Sequence, residues 1–398
     1  MQFNYSPIVL DSINPQNFPQ VELYIKQEKN FALYKPQDTK LTTQNFERLQ
    51  ENGTEFVYIN SANQDEVQTN LEKNLDNIIS NESLPRFSKN LIFSHIIISC
   101  INDVFKNPNM AAAYHKCRTI LKLISLEIED RDELITLFSK LEQHYEKYLV
   151  THTAQVTILS MFLYKRLFNA DQKELVEIGV GAMLHDIGML HIASNIVEKT
   201  DVLTESEYHR VKFHPRHGHD MLYQVGIKEQ VPLDIALSHH EHFDGSGYPR
   251  GLSEYNIPRQ AMVVSVCDIY CALTMNRPYR GASTPEEALR TLKIERKLFD
   301  PDIFDRFFGI MNSNIAPVIV TEEKIIPQKI DTTIIAMIQG LRRELRDSIE
   351  DRNKLLQLHS TVTDKINNSF GEEKGALVAF RNELKDVLNS QFAADRRN

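Results

Sequence analysis

Apolar residues recur every three or four positions through most of this chain, and this spacing predicts a mainly helical fold. The pattern is strongest over residues 91–105, 111–128 and 151–168, because repeats of this period place apolar side chains on one face of a helix. In the last segment, His152 is predicted to share its face with four apolar residues, namely Val156, Leu159, Leu163 and Leu167. An imidazole is an unusual side chain on a helix face that packs into a core.

The first sixty residues follow a different pattern. Short strand patterns over residues 31–34 and 55–59 flank a helical pattern over 43–50, and Gly53 is placed to end that helix. The segment has no carboxylate cluster or glycine-rich loop that suggests phosphate or nucleotide chemistry. We therefore predict a small α/β domain at residues 1–65, acting as a scaffold or sensor, and a helical bundle at 66–143.

The end of the chain approximates a heptad repeat. Its apolar positions are Ile334, Ile338, Leu341, Leu345, Ile349, Leu355 or Leu356, Val362 and Ile366, and the repeat is interrupted at Arg352 and His359. A coiled coil that forms a homodimer and a helix folded back on the main body both fit this spacing. We predict a C-terminal helical segment at residues 316–398 and leave the two alternatives open.

Composition narrows the class of protein. The 398 residues are 42% hydrophobic and 25% charged, as in soluble globular proteins, and this length predicts more than one folded unit. A net charge of -9 argues against a partner that is a nucleic-acid polymer. Neither a signal peptide nor a membrane span is predicted, and four cysteines without disulfide or zinc-knuckle spacing favour the cytoplasm.

Histidines are concentrated in one part of the chain. Nine of the fourteen lie between His185 and His242. The pair His185–Asp186 follows an apolar helical segment and precedes Gly188, which we expect to close that helix, and a second pair, His239–His240, follows another apolar segment. Neighbouring helical side chains project about 100° apart, so each pair can address two metal ions. Imidazoles with carboxylates, and without cysteine, favour a catalytic metal site with open positions.

The motifs around these histidines carry a family resemblance. The segments GAMLHDIGMLHI, FHPRHGHDML, SHHEHFDGSGYPRGL, VCDIYCALTMNRPYR and FDPDIFDRF resemble, in order and spacing, the HD-GYP family of bacterial cyclic-dinucleotide phosphodiesterases. The resemblance covers residues 148–311 and implies an all-helical HD-GYP domain, which we place at 144–315. It also implies two metal ions, iron or alternatively manganese, and seven ligands: His152, His185, Asp186, His214, His239, His240 and Asp268.

The resemblance further implies an activity. The chain would hydrolyse a cyclic dinucleotide, most often cyclic di-GMP to pGpG or GMP, through a hydroxide held between the two metals, with Asp186 as the bridge and His185 beside it as catalytic residues. The family's GYP loop falls on Gly247, Tyr248 and Pro249, which would border the substrate. Positive charge for the phosphates would come from Arg277 and Arg280, with Arg250 as a weaker candidate.

Two residues depart from the family pattern. Tyr148 occupies the position where some members carry a glutamate for a third metal, so we predict a two-metal centre. Met189 stands where the family usually has a lysine, and methionine cannot donate a hydrogen bond to a phosphate; His191 is a candidate replacement. A hydrolase is the leading interpretation. The alternatives are a catalytically weak cyclic-dinucleotide receptor and a hydrolase that prefers mixed cyclic GMP-AMP.

Overall fold

The computed structural model describes residues 5–28, 30–106, 110–124, 131–145, 147–197, 199, 201, 203–276, 281–312, 341 and 352–367. One compact unit spans residues 1–316 and a second spans 317–398. The described residues form a mainly helical structure with one small sheet near the N-terminus, so the predicted fold class is confirmed. The finer boundaries predicted at residues 65, 143 and 315 stay predictions.

The N-terminal sheet has four antiparallel strands in the order β1-β4-β2-β3. They are β1 (Tyr5–Val9), β2 (Leu23–Gln27), β3 (Asn30–Lys35) and β4 (Phe56–Asn60). Helix α1 (Thr43–Glu51) lies between β3 and β4 and starts with a capping box at Thr42. Gly53, at φ +68°, follows that helix as predicted. The sequence pattern predicted β3, β4 and α1, and it missed β1 and β2.

Helices make up the rest of the first unit. In chain order they are α2 (Gln64–Lys73), α3 (Leu75–Ser80), α4 (Arg86–Lys106), α5 (Met110–Ile124), α6 (Arg131–His144), α7 (Tyr148–Phe168), α8 (Gln172–Leu184), α9 (Ser194–Val197), α10 (Glu205–Val211), α11 (His214–Gln224), α12 (Gln230–Ser238), α13 (Arg259–Thr274), α14 (Pro285–Ile294) and α15 (Pro301–Asn312). Short 3-10 turns include Ile187–His191 and Glu254–Asn256.

Helix α7 is the centre of the helical core. Every residue from Val150 to Tyr164 is buried. His152 is therefore buried together with its apolar neighbours, and polar side chains such as Gln155 and Ser160 are buried as well. Helix α8 packs tightly beside α7 and α12. A Cβ built on Gly181 of α8 would lie 2.4 Å from Cδ1 of Ile235 on α12, so a larger residue there would push these two helices apart.

The sheet shares its core with the helices. Val9, Phe56 and Tyr58 belong to the same cluster of buried side chains as α4, α7 and α8. The opposite face of the sheet has a separate core, formed by residues such as Ile8, Val57 and Leu71 of α2. The N-terminal sheet is therefore packed into the helical part of the unit.

In the second unit the structure describes Leu341 and one helix, α16 (Arg352–Asn367). Leu358 and Val362, one turn apart on α16, are buried. Of the predicted heptad positions before residue 352, all except Leu341 lie outside the described residues. The homodimer stays a prediction.

Two further observations on the described residues concern membrane-spanning helices and cysteines. No helix among them has both the length and the apolar character needed to cross a bilayer. The four cysteines, at 100, 117, 267 and 271, are buried and free, which agrees with the absence of a disulfide framework. A cytoplasmic location stays a prediction.

Candidate metal centre

The structure brings the seven predicted ligands together at the ends of helices and on α7 and α13. They fall into two groups, within each of which the candidate ligand atoms lie within 4.8 Å of one another. The first group is Asp186, His214, His239 and His240, and the second is His152, His185 and Asp268. Positions more than 100 residues apart in the chain thus converge on one site.

Backbone carbonyls fix the orientation of three of these histidines. Nδ1 of His185 is 2.6 Å from the carbonyl oxygen of Ala182, and Nδ1 of His214 is 2.7 Å from that of Val211. Nδ1 of His239 is 3.0 Å from the carbonyl oxygen of Ile235. A carbonyl can only accept, so Nδ1 carries the proton in each ring and the lone pair of the neutral imidazole is on Nε2. This is the arrangement that metal-binding histidines adopt.

Asp186 stands between the two groups. Its Oδ1 is 3.1 Å from Nε2 of His214 and 3.7 Å from Nε2 of His239, in the first group. Its Oδ2 is 3.4 Å from Nε2 of His185, in the second. One carboxylate therefore faces both groups with different oxygens, as a bridging ligand would.

The contact between His214 and His239 tests whether the site fits a cation. Their Nε2 atoms are 3.1 Å apart. Since both Nδ1 atoms donate to carbonyls, two neutral rings would aim their lone pairs at each other. Nε2 of His185 is also buried without a hydrogen-bond partner. A proton or a metal ion shared among these acceptors removes the repulsion, and the donor set of imidazoles and carboxylates suits a divalent transition metal.

The second group has a shorter polar contact. Nε2 of His152 is 2.8 Å from Oδ1 of Asp268, and both residues are buried. The ring of Tyr148 stacks on the His152 imidazole, with centroids 5.4 Å apart and planes 9° apart. An aromatic ring thus occupies the turn before His152 where a third-metal glutamate would stand.

The charges of the site are strongly coupled. Burial alone would raise the pKa of Asp186, but the neighbouring His185, His214 and His239 hold it well below its usual range. For His185, burial lowers the pKa, and the charge of Asp186 outweighs this effect and raises it to about 9. Burial, followed by the charges of His239 and His214, keeps the pKa of His240 well below its ordinary value. The carboxylates are therefore ionised and the His240 ring is neutral.

The GYP loop contacts the first group of candidate ligands. The ring of Tyr248 stacks on His240 with centroids 4.8 Å apart, and its backbone N–H donates to the His240 carbonyl oxygen over 3.0 Å. A Cβ built on Gly247 would lie 2.3 Å from the backbone nitrogen of His242, so only glycine allows this approach. The Tyr248–Pro249 peptide is cis. The loop thus borders the first group, and its predicted contact with substrate stays a prediction.

Glu241 holds this loop, and the sequence analysis missed it. Its buried carboxylate accepts hydrogen bonds from the backbone N–H groups of Arg250, at 2.8 Å, and Leu252, at 2.9 Å. Arg250 also donates from its side chain to Oγ of Ser238 over 2.7 Å. Arg250 therefore supports the loop, and its predicted contact with substrate stays a prediction. The sequence does carry a signal for this role of Glu241, because its carboxylate lies between tandem histidines and a glycine- and proline-rich loop.

Gly188 has a different role from the one predicted. Helix α8 ends at Leu184, before Asp186, and Gly188 lies in the following 3-10 turn. A Cβ built on Gly188 would lie 1.9 Å from the carbonyl oxygen of His214. Gly188 therefore lets the HD segment pack directly against α11, instead of closing α8.

Of three further candidate residues, the structure describes His191 alone. His191 stacks on His217, with centroids 5.2 Å apart, and belongs to neither group. Arg277 and Arg280 lie outside the described residues. Their predicted contact with substrate stays a prediction.

Known proteins are similar to the part of the chain that carries this site. The family model described as "HD domain" matches residues 137–303. A cyclic di-GMP phosphodiesterase of Pseudomonas aeruginosa is 35% identical over 162 residues, which are 41% of this chain and 39% of the relative. A 3'3'-cGAMP-specific phosphodiesterase 1 of Vibrio cholerae is 33% identical over 186 residues, 45% of this chain and 42% of the relative. The chain thus spans less than half the length of these relatives.

A solved structure supports the fold. Bd1817, a protein of the HDGYP type from Bdellovibrio bacteriovorus, aligns over 78% of this chain and 100% of its own with a TM-score of 0.57 and 21% identity. This similarity extends beyond the HD domain itself, and at this identity it speaks to the fold alone. Residues 137–303 thus match an HD domain, and this part of the chain is similar in sequence to cyclic di-GMP phosphodiesterases.

Proposed function

We propose that this protein hydrolyses a phosphodiester bond of a cyclic dinucleotide, with cyclic di-GMP as the first candidate, at a centre of two divalent metal ions. The observation that carries the proposal is the convergence of Nε2 of His214, Nε2 of His239 and Oδ1 of Asp186, whose contacts range from 3.1 to 3.7 Å. Three acceptors at this spacing, with no proton to share when both rings are neutral, are arranged to hold a cation.

The chain's own residues divide the work. His214, His239 and His240 would hold one metal, His152, His185 and Asp268 the other, and Asp186 would contact both. Iron is the proposed metal, with manganese as the alternative. Bound divalent ions supply Lewis-acid stabilisation of the charge that develops on the phosphate oxygens. The carbonyl contacts at Nδ1 keep the rings in place, so little reorganisation is needed during the reaction.

The GYP loop would position the substrate. Burial raises the pKa of the Tyr248 hydroxyl, which therefore stays protonated and is able to donate to a phosphate or a sugar oxygen. Gly247 and Pro249 would shape the loop so that Tyr248 stays stacked against His240. Arg277 and Arg280 are proposed to add positive charge at the substrate phosphates.

Product analysis tests the activity. Metal-loaded protein, prepared without oxygen, would be incubated with cyclic di-GMP and separately with mixed cyclic GMP-AMP, and the products separated by chromatography. We expect linear dinucleotide or mononucleotide from at least one substrate. Asp186→Asn removes the charge that faces both groups, so metal content and turnover should both be lost. His219→Gln, on α11 but outside both groups, is the matched control and should retain both.

Met189 supports a second candidate function. If a lysine at this position contributes to phosphate placement, its replacement would leave a receptor that binds a cyclic dinucleotide and turns it over slowly, since one such group is worth about a hundredfold or more in rate. Met189→Lys should then leave metal content unchanged and increase turnover. Tight binding without hydrolysis of either nucleotide, by protein with full metal content, would favour the receptor and overturn the hydrolase.

A further inference from the structure

Lys212 lies beside the GYP loop with aromatic rings around its ammonium group. Its Nζ is 4.8 Å from the ring centroid of Tyr208 and 5.4 Å from that of Tyr248. Tyr248 in turn stacks on His240 and meets the His214 ring edge-on at 6.5 Å. The ring of Tyr248 thus contacts both the Lys212 ammonium and histidines of the first group of candidate ligands.

The charge of Lys212 is not neutralised by the described part of the protein. Ion pairs of the described residues link Lys199 to Glu207 at 2.6 Å and Lys297 to Asp244 at 3.5 Å, whereas Lys212 has no carboxylate within ion-pair distance among the same residues. Its contacts to Tyr208 and Tyr248 leave its three N–H donors without an anionic acceptor. A half-buried ammonium of this kind is available to an incoming anion.

Two other described cations near the loop are engaged by the protein itself. The guanidinium of Arg250 donates to Ser238 and lies 3.9 Å from Glu241. Lys297 faces Asp244 at 3.5 Å. A phosphate that does not contact a metal needs a positive charge from elsewhere, and Lys212, which has no ion-pair partner among the described residues, is placed to supply it.

We propose that Lys212 binds the second phosphate of the cyclic dinucleotide, the one that is not being cleaved, and so acts as a specificity-determining residue. This inference rests on the proposed function. A cyclic dinucleotide carries two phosphates on opposite sides of one ring. When one of them occupies the metal centre, the other must lie outside it, and Lys212 contacts the same Tyr248 ring that stacks on His240. Tyr208, 48% exposed, extends the same edge with a second ring.

The test compares a substrate that has two phosphates with a substrate that has one. For Lys212→Met, we expect KM for cyclic di-GMP, or for mixed cyclic GMP-AMP if that is the substrate turned over, to rise about 10- to 100-fold, the loss that removal of one charged hydrogen bond produces. We expect kcat to change little, because a contact kept through the reaction affects binding and not the chemical step. Hydrolysis of bis(p-nitrophenyl) phosphate, which has a single phosphate, should be unchanged.

Matched variants separate charge from structure. Lys212→Arg keeps the positive charge and should recover most of the affinity. Lys293→Met removes a lysine that also lies over an aromatic ring, Phe308 at 5.6 Å, on a helix that carries none of the candidate ligands, and should leave both substrates unaffected. Wild-type KM for the cyclic dinucleotide should rise with salt more steeply than that of Lys212→Met, since only the wild type has this contact to screen.

Each result decides between the inference and its alternatives. If Lys212→Met raises KM equally for both substrates, or for neither, the role of Lys212 is overturned. If the wild type binds cyclic di-GMP but does not hydrolyse it, the proposed function fails, and the role of Lys212 is then judged by whether Lys212→Met weakens that binding. If the metal-loaded wild type neither binds nor hydrolyses either cyclic dinucleotide, both proposals are overturned.

Discussion

At the scale of single residues, the candidate metal centre depends on groups other than the seven candidate ligands. Main-chain carbonyls one helical turn back fix the tautomers of His185, His214 and His239. Glu241 fixes the GYP loop, because its two oxygens accept hydrogen bonds from two backbone N–H groups nine and eleven residues later. Substitutions at these supporting groups should therefore change function while all seven candidate ligands remain.

Glu241→Gln tests the support of the GYP loop. Glutamine keeps one accepting oxygen and places an NH2 group against a backbone N–H, so a buried donor loses its partner at a cost of about 1–3 kcal/mol. We expect a lower free energy of unfolding in urea, unchanged metal content and weaker binding of the cyclic dinucleotide. Glu254→Gln, at an exposed position of the same loop, is the control. Unchanged stability in Glu241→Gln would contradict this role.

Gly188→Ala tests the contact between the HD segment and α11. The added methyl would overlap the carbonyl oxygen of His214, and the structure must shift at a cost of about 1–3 kcal/mol, as overpacking does elsewhere. Because His214 would move, metal content should fall as well. The matched control is Gly309→Ala, an exposed position of α15 where a Cβ meets nothing within 4 Å, which should stabilise the helix by about 0.5–1 kcal/mol. Thermal unfolding and metal analysis measure both effects.

The family resemblance of the sequence motifs implied the seven candidate ligands, and the structure brings these residues together. The groups that support them could not be predicted in this way. The partners of Glu241 and the neighbour of Gly188 are set by packing between α11, α12 and the loops, which one sequence does not reveal. Lys212 was missed for the same reason, since its relation to Tyr248 is visible only after folding.

At the scale of elements, the connection between the sheet and α7 is built from aromatic and imidazole rings. His144, the last residue of α6, stacks on Phe56 of β4 at 3.8 Å and is hydrogen-bonded to Tyr58. The next residue, Tyr145, is hydrogen-bonded to the buried His95 of α4. The sheet therefore contacts the segment that leads directly into the helix carrying His152.

This connection predicts a loss of stability in acid. Burial lowers the pKa of His95 from 6.5 to about 4, so the folded protein keeps this ring neutral while the unfolded chain takes up a proton below pH 6.5. Stability is therefore fully present above pH 6.5 and is lost as the pH falls toward 4. The contribution of His95 to the loss of unfolding free energy between pH 7.5 and pH 5 is about 2 kcal/mol. Urea unfolding at the two pH values measures it.

A matched pair of variants isolates the contribution of His95. His95→Asn keeps a polar group near Tyr145 and removes the titration, so the difference in unfolding free energy between pH 7.5 and 5 should shrink by about 2 kcal/mol. His115→Asn, at an exposed position of α5, should leave that difference as in the wild type. An equal pH dependence in the wild type and in His95→Asn would show that the buried imidazole does not titrate in this way.

Element prediction succeeded for the long helices and for α1, β3 and β4, and it failed for β1 and β2. β1 includes Pro7, and β2 ends on the polar residues Lys26 and Gln27, so neither gives a clear strand pattern. α7 was predicted as a helix, but the partners of its buried polar residues could not be predicted, as the 3.2 Å contact of Gln155 with Glu142 shows.

At the scale of the whole molecule, the sheet and the helices of the first unit should unfold together. Phe56, 5% exposed, belongs to the buried cluster that also contains Val156 and Leu159 of α7. Phe56→Ala would leave a cavity between them at a cost of about 3–5 kcal/mol. In metal-free protein, hydrogen exchange in urea should show β4 and α7 losing protection at the same, lowered urea concentration. Leu33→Ala, 52% exposed on β3 of the same sheet, should change neither. Loss of protection in β4 alone, with α7 unaffected, would mean that the sheet is an independent domain, and the shared core would then not couple it to the metal centre.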